Sequence, residues 1–494
     1  MNHKSRRVAV LGGGLTGLSS AFYLRELAKE RGEEIKVTVI EGSDRLGGRV
    51  NTLRKNGFVI ERGPDSFLAR KLPMIRIASE LGLVQELTGT NPAAKNTYIS
   101  RDGKLLPMPQ GLTLGVPSDR DKFMATELVS EEGKLRALAE LDLPSDVSEG
   151  DESVGAFLER RMGKEMVERI FEPLLAGIHA GDLYKLGLEA TFPQFKRMVQ
   201  EYGSLIAGTR ETQRQAAAAK AKADAEAAAS SNEASDSTPL PASVFMTFKN
   251  GLSSLIEALE SRLREDANCE IRTGAKVEAI TPIGGEEMDS ASYRLRLSDG
   301  STVEADRVIF ALPAYNASEL LAPHVDVSAL NAIRYVSVAN IVLAYDDSGF
   351  DHPLDGSGFL VPRGENRLIT ASTWTSSKWL HTAPQGKRLI RCYVGRAGDE
   401  QGVELDDEAM SAAVQRDLRE LMGLTATPEF VEITRLRHSM PQYPVGHVEA
   451  VAAFRASLAT KLPGVIATGA AFDAVGLPDC VAQGKQAAEA LLAN

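Results

Sequence analysis

The sequence predicts an α/β protein, α+β over its whole length. A dinucleotide-binding domain, discontinuous in sequence, is joined to a mixed-sheet domain and a mainly helical one. Three observations predict this. A strand, a glycine turn, a helix, a second strand and an acid succeed one another within the first 41 residues. A buried apolar strand recurs at Arg307–Leu312, long after that unit, and a strand and helix close the chain between Val465 and Leu492. Parallel strands need crossover connections, so members of one such sheet can lie far apart in sequence.

Val8 to Leu11 form a short branched apolar run that the glycines at 12, 13 and 14 end abruptly, which reads as strand then turn. Leu15, Leu18, Ala21 and Phe22 then give a helix with an apolar face. Gly12, Gly14 and Gly17 make G-x-G-x-x-G between strand and helix, the Rossmann-like arrangement that lets backbone and a helix N-terminus approach a pyrophosphate. Ile35 to Ile40 form the second strand, ending at Glu41. Glu41 lies 41−17 = 24 residues beyond the last glycine, against about 20 expected for an acid on a ribose 2′-hydroxyl, and it argues against a 2′-phosphate. These residues leave FAD and NAD both open. Arg45-Leu46-Gly47-Gly48-Arg49 leans toward FAD, because a nicotinamide dehydrogenase has little use for a second phosphate-facing loop.

The 494 residues exceed a single domain, so two or three are expected. Acids exceed bases by 67−56 = 11, which disfavours nucleic acid as a partner. Cys269, Cys392 and Cys480 are isolated, and the seven histidines show no ligand spacing, so neither disulfides nor a metal site is expected. No apolar run approaches the roughly 18 residues of a membrane span, and the polar start enters a strand at once. A cytoplasmic location is expected, with peripheral contact at the inner face of the membrane left open.

Gly57 to Ser66 reads as a strand feeding a Gly-Pro loop, with Arg70 and Lys71 just beyond. Residues 72–200 read as mostly helical, except where Phe171 to Asp182 combine two glycines and a proline. Residues 211–238 carry alanine and charge with almost no large apolar side chain, so they read as a helical or disordered insertion that buries no core. Cys269 to Ile280 read as a strand containing Val277. Tyr293–Leu297 pairs with Thr302–Asp306 across Ser298-Asp299-Gly300-Ser301 as a hairpin.

Ala339–Leu343, Gly358–Val361 and Leu389–Val394 read as strands of a mixed sheet, with one helix near Asp407–Met422. Val465–Gly469 then gives a strand, and Pro478–Leu492 a helix with Asp479 in its first turn. Such a helix start would stabilise negative charge on a reduced flavin. The expected boundaries are 1–68, 244–313 and 440–494 for the cofactor domain, 69–86 and 314–439 for the substrate domain, 87–200 for the helical domain and 201–243 for a linker.

Together, GGGLTGL, ERGPDSFLARK, FEPLLAGIHAGD, TWTSSKW, MPQYPVGH and TGAAFDAVGLPDC resemble the FAD-dependent amine oxidase and phytoene desaturase superfamily. Within it they resemble the porphyrinogen oxidases of haem synthesis, above all the soluble enzymes of Gram-positive bacteria. The resemblance covers nearly the whole chain and implies noncovalent FAD. It places Gly12, Gly13, Gly14, Leu15, Thr16 and Gly17 at the pyrophosphate, Glu41 and Gly42 at the adenosine ribose, and Arg49, Gly63, Pro64, Asp65 and Ser66 nearby. Val277 would meet the adenine, and Gly469, Val475, Gly476 and Leu477 would lie along the isoalloxazine side. Leu436 occupies a cofactor-contact position where an aromatic residue is expected. Lys71 matches a propionate-binding cation, and Gly177 and Ile178 would line the substrate cavity.

The implied reaction removes six electrons from a porphyrinogen in two-electron steps, with dioxygen as final acceptor, and needs orientation in an apolar cavity more than a strong base. No catalytic side chain is nominated. Ferrochelatase is an implied transient partner. Coproporphyrinogen III and protoporphyrinogen IX both remain open as substrates, with the first favoured. A flavin amine oxidase, a carotenoid desaturase and a protein with structural FAD are the other readings.

Overall fold

Alternate residues of the first strand face opposite layers, and both layers are apolar. In the computed structural model, which describes residues 6–229, 241, 243–285, 291–350 and 352–493, the chain divides into two compact units. The first takes 1–90, 241–335 and 447–494, and the second takes 91–240 and 336–446. Segment 69–86 lies in the first unit with 314–335, while 91–200 and 336–439 share the second.

In the first unit, β1 (Arg6–Leu11), α1 (Leu15–Arg31) and β2 (Ile35–Ile40) are followed by β3 (Cys269–Arg272) and β4 (Arg307–Phe310). The unit ends with α2 (His447–Lys461), β5 (Val465–Ala467) and α3 (Leu477–Ala493). The strands make one parallel sheet in the order β3-β2-β1-β4-β5, with Val10 opposite Val39 on one side and Ile309 on the other. Val8, Val10, Val37 and Val39 pack with Leu18 and Phe22 of α1 and Leu491 of α3. Ala9, Leu11, Val308 and Phe310 pack with Phe454 and Leu458 of α2. Burial on both faces explains why these strands read as continuous apolar runs. In such a sheet the ligand lies beyond the carboxyl ends of the strands, where their order reverses beside β1.

The expected single strand from Cys269 to Ile280 is two. Cys269–Arg272 is β3 of the parallel sheet, whereas Val277–Pro282 pairs antiparallel with Tyr293–Leu297. Gly274, at φ +69°, turns the chain between them. Tyr293–Leu297 and Thr302–Ala305 form the expected hairpin.

In the second unit a seven-stranded sheet runs Phe430–Gln442, Arg334–Asp346, Lys387–Val394, Ile369–Thr373, Gly356–Leu360, Asn96–Arg101 and Lys104–Pro107. The last two strands correct the expectation of a mostly helical 72–200. Asp102-Gly103, both at positive φ, turn them into a hairpin that the mainly helical context concealed. A helical core around Phe157, Met166, Phe171 and Phe195 accompanies the sheet. Within it the fully buried Glu140 carboxylate accepts from Arg161 Nε (2.9 Å) and Nη2 (2.6 Å). It also accepts the backbone N–H groups of Leu205 (2.8 Å) and Ile206 (3.2 Å), which open the helix Leu205–Ala229.

That helix contains the start of the alanine-rich insertion, and residues 230–238 of the insertion lie outside the described residues. Gln213 Nε2 donates to Thr113 Oγ1 at 2.7 Å, and Arg214 to Ala219 are exposed. Residues 216–238 contain no large apolar side chain, so replacing them with a short Gly/Ser linker is expected to change stability by no more than about 0.5 kcal/mol. Urea unfolding checks this, and a loss above about 2 kcal/mol would show that the insertion packs on the body.

Candidate functional site

The glycine turn after β1 is shaped by close packing. A Cβ on Gly17 would stand 1.9 Å from the Gly12 carbonyl oxygen, one on Gly12 would stand 2.5 Å from that of Ala311, and one on Gly13 would stand 2.5 Å from Leu46 Cδ2. Gly12 also has φ +104°. Only Gly14 opens outward, where a Cβ would meet nothing nearer than Gly48 Cα at 3.9 Å. Gly14 caps α1 without a side-chain hydrogen bond, and the first turn, with Leu15, Thr16 and Gly17, holds no acid. Backbone donors and the positive end of the helix therefore coincide at an opening that fits a pyrophosphate.

Glu41 ties this turn to the next loop. Its Oε2 accepts from Gly13 N at 2.7 Å, and its Oε1 accepts from Ser43 N and Oγ, each at 2.8 Å. Oε2 keeps acceptor capacity for a ribose hydroxyl. Gly47 N donates to Gly13 O at 2.8 Å, so the second glycine loop lies against the first. Arg45 braces that loop internally, donating to the carbonyls of Gly48 (2.6 Å), Leu46 (3.2 Å) and Val50 (3.3 Å). It is thus structural, while Arg49 is exposed. A Cβ on Gly63 would lie 1.8 Å from Arg49 O, which brings Gly63, Pro64, Asp65 and Ser66 against the same loop. Gly42 faces Lys276, next to the buried Val277.

Glu41→Ala removes the Gly13 tether together with the acceptor expected for a ribose hydroxyl. It is expected to weaken dinucleotide binding by about 1.5 to 3 kcal/mol, measured by titrating apoprotein. Unchanged affinity would place the ribose elsewhere.

The C-terminal segment reaches the same turn. Gly469 has φ +112°, and a Cβ there would lie 3.6 Å from Thr16 Oγ1. Val475 and Gly476 lead into α3, which begins at Leu477. Lys71 Nζ pairs with Asp479 in the first turn of α3, 2.8 Å from Oδ1 and 2.6 Å from Oδ2. Burial pushes the Cys480 thiol up to about 11, so it stays protonated near neutral pH and is a poor nucleophile.

The other expected residues lie in the second unit. Leu436 is on the strand Phe430–Gln442. Gly177 and Ile178 follow a wide, i→i+5 helix, Val167–Ala176, that contains Pro173. Ile178 is exposed, and the space beside Gly177 is open. The polar supports of this segment were missed in the sequence because they are remote in it. Arg363 Nε donates to Glu172 Oε1 at 2.8 Å and its Nη2 to Gly181 O at 2.8 Å, while Gln442 Nε2 donates to His179 O at 2.8 Å. Burial pushes the Glu172 carboxyl up against the opposing pull of Arg363 and Arg396, and it pushes the His179 imidazole down to about 4. Gln483 and His447, both buried, were missed for the same reason. Among the described residues no group of three His, Cys, Asp or Glu side chains could hold a metal ion.

Comparison with known proteins identifies the family. The profile of the family described as flavin containing amine oxidoreductase matches residues 15–492. The chain is 38% identical over 487 residues to the coproporphyrinogen III oxidase of Bacillus subtilis (strain 168), covering 99% of this chain and 98% of that one. It is 37% identical over 491 residues to the coproporphyrinogen III oxidase of Staphylococcus aureus (strain NCTC 8325 / PS 47), covering 99% and 100%. A crystal structure from Exiguobacterium sp. 255-15 matches at 34% identity with a TM-score of 0.85, covering 100% of both chains.

Proposed function

The chain belongs to the flavin containing amine oxidoreductase family, and from that premise we propose that it is an FAD-dependent oxidase converting coproporphyrinogen III to coproporphyrin III in haem synthesis. The observation that carries the substrate is the full-length similarity to two coproporphyrinogen III oxidases. When bound, FAD would supply the two-electron acceptor chemistry, with dioxygen as the proposed final acceptor and hydrogen peroxide as its product.

The residues divide the remaining work. Gly14 and the first turn of α1 would hold the pyrophosphate and Glu41 the ribose, with Arg49 and Gly63 to Ser66 nearby. Val277 contacts the adenine, and Gly469, Val475, Gly476 and Leu477 present backbone to the isoalloxazine, with Leu436 as a further contact. Gly177 and Ile178 line the substrate cavity, where an open space and an apolar side chain suit a tetrapyrrole. Lys71 has three ammonium protons and two partners on Asp479, so one donor remains for a substrate carboxylate. Oxidation at a carbon already activated by pyrrole nitrogen asks for orientation, and no side chain is assigned as a base.

Ferrochelatase, which would consume the product, is proposed as a transient partner, and the cytoplasm, with peripheral contact at the inner face of the membrane, as the location. Among the described residues no helix is long and apolar enough to cross a membrane.

Porphyrin fluorescence tests the function. Adding the protein to coproporphyrinogen III in air is expected to produce fluorescence together with hydrogen peroxide. A protein that binds FAD yet produces neither would overturn it. Lys71→Ala is expected to lower kcat/KM for coproporphyrinogen III about threefold to tenfold, the size of one partly exposed charged contact. An unchanged value would leave Lys71 as a partner of Asp479 alone.

A further inference from the structure

We propose that Gln483 is a positioning residue that fixes the Gly469–Gly476 loop and thereby places the backbone of Val475–Leu477 against the flavin. The inference rests on the reading that FAD lies in the first unit. Gln483 is 5% exposed and sits in the second turn of α3. Its Oε1 accepts from Gly469 N at 3.0 Å, and its Nε2 donates to Ala474 O at 3.1 Å. The orientation of the amide follows from its partners, since one is an obligate donor and the other an obligate acceptor. A single side chain thus spans both ends of the loop.

The same helix is fixed to the other end of the cofactor site. A Cβ on the next residue, Gly484, would lie 2.7 Å from Thr16 O and 2.8 Å from Ser19 Cβ, so α3 runs directly against the start of α1. The loop is held from its other side by α2. The His447 imidazole lies 2.8 Å through Nε2 from Phe472 O, and Arg455 pairs with Asp473 at 2.7 Å. Gly469 at φ +112° sits where a side chain is rarely accommodated, and its N–H is the atom Gln483 holds. Loss of the amide frees the loop at both ends, whereas loss of a contact from α2 frees it at one.

Gln483→Leu and Gln483→Glu test this in the full chain. The leucine removes both bonds. The glutamate keeps an acceptor for Gly469 N–H and the volume of the side chain but has no donor for Ala474 O. The readouts are the dissociation constant for FAD, from titration of apoprotein, and the visible circular dichroism of the bound flavin. Gln483→Leu is expected to weaken FAD binding at least tenfold and change the flavin spectrum, with Gln483→Glu intermediate. If the leucine protein does not fold, the glutamate protein decides: weaker binding with an altered spectrum supports the proposal, and wild-type values overturn it. A lower thermal midpoint with wild-type affinity and spectrum would also overturn it, because a purely structural glutamine predicts that result. Failure of the unmodified chain to bind FAD would instead overturn the placement of the cofactor.

Discussion

Gly17→Ala is expected to yield a protein with little or no bound FAD. The added methyl carbon would stand 1.9 Å from the Gly12 carbonyl oxygen, far inside van der Waals contact, and the obstacle is backbone that no rotamer change can move. Either α1 shifts away from β1 by more than 1 Å, on the order of the overlap, or the turn at Gly12 deforms. Both displace the N–H groups proposed to meet the pyrophosphate. A shift of that size costs about 3 kcal/mol or more of binding, roughly a hundredfold in the dissociation constant. Absorbance of the purified protein and titration of apoprotein measure it. Gly32→Ala is the control, because Gly32 has the same residue type at the far end of α1 and a Cβ there meets nothing within 4 Å. It should keep FAD, though φ +68° will lower stability slightly.

Arg161→Ala is expected to be strongly destabilising although it lies outside the cofactor site. Glu140 is fully buried, and Arg161 is 2% exposed. Removing the guanidinium leaves the carboxylate with neutral donors only, from Ser204 Oγ, Leu205 N and Ile206 N. A buried charge stripped of its partner costs about 3 to 5 kcal/mol. Chemical unfolding of the second unit measures the loss. Combining Arg161→Met with Glu140→Gln should recover part of it, because the unpaired charge is gone while the amide oxygen still accepts from Leu205 N and Ile206 N. A double variant no more stable than Arg161→Ala would contradict that explanation.

What the sequence reveals follows the range of the interactions involved. The turn at Gly12 to Gly17 and the acid at Glu41 are legible because strand, turn, helix and strand adjoin in the chain. The reason for each glycine is not, since the obstacle at Gly12 is Ala311 and the obstacle at Gly63 is Arg49. Arg45 illustrates the same limit: its charge suggests a ligand, and its bonds to the carbonyls of Leu46, Gly48 and Val50 appear only in three dimensions. The strands Asn96–Arg101 and Lys104–Pro107 were hidden by their helical surroundings, and the strand that pairs with the first of them, Gly356–Leu360, begins 356−101 = 255 residues further along the chain. Gln483 reads as one polar residue in a closing helix until Gly469 and Ala474 are seen on either side of its amide.

Substrate preference tests the central claim most directly. Coproporphyrinogen III carries four carboxylates and protoporphyrinogen IX two, and an unpaired buried charge costs several kcal/mol, so a site that accepts the first must supply water or cations for the additional pair. The measurement is kcat/KM for both porphyrinogens, by fluorescence, in one buffer without detergent. The account predicts a higher value for coproporphyrinogen III. An equal or reversed preference would contradict it and leave protoporphyrinogen IX as the substrate.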